Sequence, residues 1–150
     1  MDKLDTLVAQ SKYKIIFDKN MPATLAGLCA NQTILINGNR SRQEQLQTLS
    51  EEIAHQETSV GDLIAQDTLD KRQQEKKARR LAFHNLVTLD DLIAYNAIGV
   101  DSIYEAADLS DVTVEFLYDA LDCYREQFGD LFIYKGFLFD LTHGLNILKV

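Results

Sequence analysis

At 150 residues, 46% of them hydrophobic and 25% charged, the chain is long enough to bury a core and short for two independent domains. A single domain over 1–150 is expected, with a sheet and two long helices in 1–87 and a helical subregion with a terminal hairpin in 88–150. A net charge of −8 argues against direct nucleic-acid binding, which needs clustered Lys and Arg to displace counterions from phosphate, and suits a protein partner with a basic surface.

Cys29 and Cys123 lie far apart with no C-x-x-C spacing, so reduced thiols and a cytoplasmic setting are expected. The opening "MDKLDTLVAQSKYKIIF" lacks a basic stretch followed by a continuous apolar one, and no run approaches the roughly 20 apolar residues of a membrane span. Neither export nor membrane anchoring is expected.

The amino end reads as a short helix, Asp2 to Gln10, leading into a strand at Tyr13 to Phe17 rich in aromatic and β-branched residues. Pro22 sits in the loop that follows. Two short apolar runs, Leu28 to Ala30 and Thr33 to Ile36, flank Asn31-Gln32 and read as a tight hairpin, giving a small antiparallel sheet. Ser41 and Glu44 have the spacing of a capping box, so a helix should start there and run through "EEIAH", Glu51 to His55.

A polar loop is expected around Thr58 to Gly61. A second long helix, Leu69 to Leu86, then places Ala78, Leu81, Ala82 and Leu86 at helical spacing on its inward face. "TLDD", Thr88 to Asp91, caps a third helix that breaks near Gly99, and Asp101 to Gly129 reads as helix, turn and longer helix. "LFIYKGFLFDL" reads as a terminal hairpin turning at Lys135-Gly136, its aromatic residues taken as sheet core. The fold class is therefore α+β, with a helical carboxyl-terminal region.

The chemistry concentrates in "EEIAH". Residues four apart on a helix share a face, so Glu51 and His55 can both reach one ion while Glu52 projects beside them. Zinc accepts carboxylate oxygen at about 2.0 to 2.2 Å as well as imidazole nitrogen. Compared with H-E-x-x-H, a glutamate in the first ligand position adds negative charge and weakens the Lewis acidity of the ion. On the second helix Glu75 continues the face of Ala78 and Ala82 and is the candidate third ligand, with His84 and His143 as spares. The same spacings also describe ordinary surface pairs, Glu51 with His55 and Glu75 with Arg79.

The order of these parts resembles the ImmA/IrrE-type metallopeptidase family, in particular its phage and mobile-element members, from about Tyr13 to Leu86. The parts that carry the resemblance are Gly27 through "TILIN", then "LSEEIAH" followed by "TSVGD", then "QEKKARRLAF". It implies zincin-like helices packed on a small sheet, with Glu52 as general base and His55 and Glu75 as ligands. Glu51 stands where the family has its first histidine ligand. The resemblance implies a peptidase using zinc or another divalent metal that cleaves a helix-turn-helix repressor or similar regulator, or a catalytically weak or inactive anti-repressor or adaptor that binds such a regulator without cutting it. The segment from Asp101 to Gly129 has helix-turn-helix spacing, but Glu115, Asp119 and Asp122 on its second helix would repel phosphate. Ile103, Ala106, Ala107, Leu109, Val112, Phe116 and Leu117 are expected to pack.

Overall fold

The computed structural model describes residues 2–59 and 68–150, which form two compact units, Met1–Ala82 and Phe83–Val150. The fold is α+β, as expected. In the first unit, helix α1 (Lys3–Gln10) is capped by Asp2, whose carboxylate accepts from the Asp5 amide at 2.9 Å. The Arg42 guanidinium donates to both Asp2 oxygens and to Asp5. That fork ties the start of α1 to the start of α2 (Arg42–Ser59), and it holds the Asp2 carboxyl below its ordinary range, first through the Asp5 amide and then through Arg42.

The sheet holds β1 (Lys14–Asp18), β2 (Gly27–Ala30) and β3 (Thr33–Asn37) in the order β1-β3-β2. The expected hairpin is present: β2 and β3 are antiparallel, and Asn31 and Gln32 both take positive φ, 51° and 65°, as a turn matched to strand twist requires. The expectation of a purely antiparallel sheet is corrected, because β1 pairs parallel to β3. The residues between β1 and β2 carry the chain past the hairpin, and β3, with Ile34 and Ile36 fully buried, takes the centre, where both of its edges are bonded. Asn37 secures that crossing: its buried side-chain amide donates to the carbonyls of Pro22 and Leu25 at 3.2 and 2.9 Å.

Helix α2 begins where Ser41 Oγ accepts from the Glu44 amide at 3.2 Å and packs Leu46, Leu49 and Ala54 into the interior. Thr58 and Ser59, expected in a loop, are its last turn; the rest of that expected loop lies outside the described residues. Helix α3 (Thr68–Leu86) buries Ala78 and Ala82 completely.

In the second unit, α4 (Leu89–Ala97) starts with a complete capping box between Thr88 and Asp91. Ser102 and Thr113 cap α5 (Ile103–Leu109) and α6 (Val114–Phe128). The terminal segment is a three-stranded antiparallel meander, β4 (Leu131–Tyr134), β5 (Phe137–Asp140) and β6 (Asn146–Lys149). The expected hairpin is its first half, turning at Lys135 and Gly136 with φ of 47° and 80°; the third strand was not anticipated. Its inner face stacks Phe139 on Phe132, and Phe132 contacts Phe128 at the end of α6. The fully buried Tyr124 donates its hydroxyl to the Val87 carbonyl at 2.6 Å. One residue expected to pack does not: Leu109, at the end of α5, is 47% exposed.

Candidate metal centre

The relation between β2 and α2 positions the site. Gly27 and Cys29 are two residues apart on a strand and so share a face. A Cβ on Gly27 would stand 2.5 Å from Cγ2 of Thr48, so the bare glycine lets the strand lie against the helix. One helical turn beyond Thr48 is Glu52, whose charge acts on Cys29: the thiol is pushed up from its ordinary value by burial first and by Glu52 second. Thr48 under Gly27 and Glu52 near Cys29 align β2 along the part of α2 that carries "EEIAH".

Glu51, Glu52 and His55 are all half-buried on α2. Burial pushes the Glu52 carboxyl above its ordinary range, and the nearby His55 offsets part of that shift. A carboxylate made more basic by partial desolvation and held near an imidazole has the character a general base needs. The sheet order leaves β2 at an edge, beside this helix.

Glu75 lies on α3, one turn before Ala78 as the sequence indicates, but its side chain is exposed. Among the described residues no group of three His, Cys, Asp or Glu side chains that could hold one ion is found. The carboxylates of Glu51 and Glu75 and the imidazole of His55 fit zinc's acceptance of oxygen and nitrogen donors. The spare histidines belong to the second unit. His84 shares a 2.6 Å hydrogen bond with Gln127 and packs on Tyr124, and His143 lines a cavity of about 320 Å³ with Leu92, Tyr95 and Ile147.

Sequence reasoning missed Cys29 as a neighbour of the site. The signal was the period-2 pairing of Gly27 with Cys29, which becomes legible only once β2 is known to face α2.

An acid-acid-histidine helix lying beneath the edge strand of a small mixed sheet has the layout of an α+β metallopeptidase. The family described as the IrrE N-terminal-like domain, Peptidase_M78, matches residues 9–122, and the chain belongs to that family. The match continues past the metal-site helices through α4, α5 and most of α6. No curated protein and no solved structure matches the chain. Membership makes peptide hydrolysis with a metal cofactor, typically zinc, the chemistry of the class, and no helix among the described residues is long and apolar enough to cross a membrane.

Proposed function

We propose that this protein is a metal-dependent peptidase that acts in the bacterial cytoplasm on a helix-turn-helix repressor or similar regulator of a prophage or mobile element. The observation that carries the reading is the half-buried Glu52, made more basic by its surroundings and set beside an edge strand. In this reading Glu51, His55 and Glu75 hold the ion, and Glu52 takes a proton from the attacking water and passes it to the leaving amine. A bound ion would supply Lewis acidity toward the scissile carbonyl and the water. The free edge of β2 receives the substrate as an added strand, through main-chain hydrogen bonds.

The test is incubation of zinc-supplied protein with a panel of purified helix-turn-helix repressors from prophages and mobile elements, followed by mass spectrometry of the products. Wild type is expected to cut, and Glu52→Gln to keep its metal and lose cleavage. Undiminished cleavage by Glu52→Gln would remove the assigned base. A second reading, an anti-repressor or adaptor that sequesters the regulator uncut, is supported by Glu51 standing where the family has its first histidine ligand. Stable complex formation without cleavage by metal-supplied wild type is its signature.

A further inference from the structure

The second unit holds a cavity of about 320 Å³ where α4 ends and α5 begins, completed by Tyr118 of α6 and by residues 143–147. Its size is that of a small-ligand site and of about ten waters at roughly 30 Å³ each. Leu92, Ala106 and Ile147 give it a buried apolar lining, and Tyr95 and Tyr118 add two aromatic rings. The family match ends at residue 122, so the wall formed by residues 143–147 lies beyond the matched domain.

Charge selects the ligand. No Lys or Arg lines the cavity, and Asp101 is its one carboxylate. The acids of the chain are unevenly shared: residues 83–150 carry twelve against Arg125, Lys135 and Lys149, whereas residues 1–82 carry eleven against twelve Lys and Arg. Two of the three cations are engaged with their own neighbours, Arg125 with Asp122 and the Leu141 carbonyl, and Lys135 with Asp90. The imidazole of the lining, His143, acts on Asp140, whose carboxyl is held below its ordinary range by Thr142 first and then by His143. The Tyr95 phenol is pushed up by burial first, and further by the Asp91 and Asp111 carboxylates, which marks a negative field at the cavity wall. A cleft in a field of one sign concentrates ions of the other, and tyrosine rings attract cations as well.

The geometry points to a binding site for an organic cation, an ammonium or guanidinium on a short apolar stem, with the stem along the buried lining and the charge beside Asp101. A free organic cation and the lysine or arginine side chain of a partner share that chemistry. The site belongs to the second unit, whereas Glu51, Glu52 and His55 belong to the first, and its occupancy does not depend on whether the chain cuts what it binds.

Titration of the isotope-labelled full chain with n-butylguanidinium, and separately with Nα-acetyl-arginine amide, followed by backbone amide NMR shifts, tests it. Saturable shifts centred on Leu92, Asp101, Ala106 and Ile147 are expected from the first probe, and none from the uncharged isostere n-butylurea. Shifts of similar size from the blocked arginine assign the cavity to a partner's side chain, and their absence assigns it to a free cation. Asp101→Asn should weaken binding roughly 5-fold, the worth of one charge pair in water, and Tyr118→Leu should weaken it too. Both positions are exposed, so the melting temperature should hold. Shifts that are absent, that never saturate, that spread over the acidic helices or that n-butylurea reproduces overturn the inference. So does binding that Asp101→Asn leaves intact.

Discussion

Gly27 and Thr48 are in contact only because one of them has no side chain: a Cβ on the strand would lie 2.5 Å from the threonine methyl on the helix. Threonine is β-branched and stiff, so it cannot swing aside, and Leu35 O, 3.2 Å from the same point, closes the other direction. Gly27→Ala is expected to destabilise the protein by about 1–3 kcal/mol, the usual cost of overpacking. Thr48→Ser removes the methyl and should return part of that loss in the double variant. Urea denaturation of the four chains gives the coupling directly; strictly additive effects would show that the strand and helix do not meet here.

Glu52 carries a pH signature. Its folded carboxyl holds a proton to higher pH than in the unfolded chain, so between the two values the native state binds more protons and stability falls as pH rises. The penalty is full above the folded value and disappears below the unfolded one. Glu52→Gln is therefore expected to melt higher than wild type at neutral pH, with the advantage shrinking as pH is lowered through the carboxylate range. A difference in melting temperature that is constant with pH would contradict the assignment.

Metal affinity separates the α2 donors. Loss of a direct ligand should exceed the roughly 10- to 100-fold cost typical of an outer-shell partner, so His55→Ala is expected to lose zinc in equilibrium dialysis. Glu51→His, which supplies a second imidazole one turn from His55, should bind more tightly than wild type. If Glu75→Gln matches wild type in the same assay, α3 contributes no ligand.

The hydroxyl of Tyr124 is buried against the Val87 carbonyl, and burial pushes its pKa far above the ordinary tyrosine value. Tyr124→Phe leaves that carbonyl without this donor and is expected to cost about 1–3 kcal/mol. Thermal unfolding should show the loss with no change in secondary structure by circular dichroism. An unchanged midpoint would mean that water replaces the bond.

The two ends of the pH range act differently on Asp2. Its folded carboxyl is depressed by the Asp5 amide and by Arg42, so its contribution is present above the unfolded value and is lost as pH falls through the folded one. Asp2→Asn keeps a side chain able to cap α1 but removes the charge. Its melting temperature should fall below that of wild type at neutral pH and converge with it in acid; a gap that persists in acid would point to the cap rather than the ion pair.

By itself the sequence determined the local structure. The Ser41 and Thr88 caps, the Asn31-Gln32 and Lys135-Gly136 turns and the helical stripes through Ala78 and Ala82 are decided within a few residues by hydrogen-bonding side chains and backbone φ. The i,i+4 pairing of Glu51 with His55 is of the same kind, because helix geometry fixes it. Tertiary structure decided what needs distance along the chain. The parallel pairing of β1 with β3 depends on the crossing that Asn37 secures. The exposure of Ile133 and Leu148 depends on a third strand too short and mixed in composition to announce itself. The exposure of Glu75 has the same origin: helical periodicity sets the face on which a carboxylate lies, but packing decides whether that part of the face is covered.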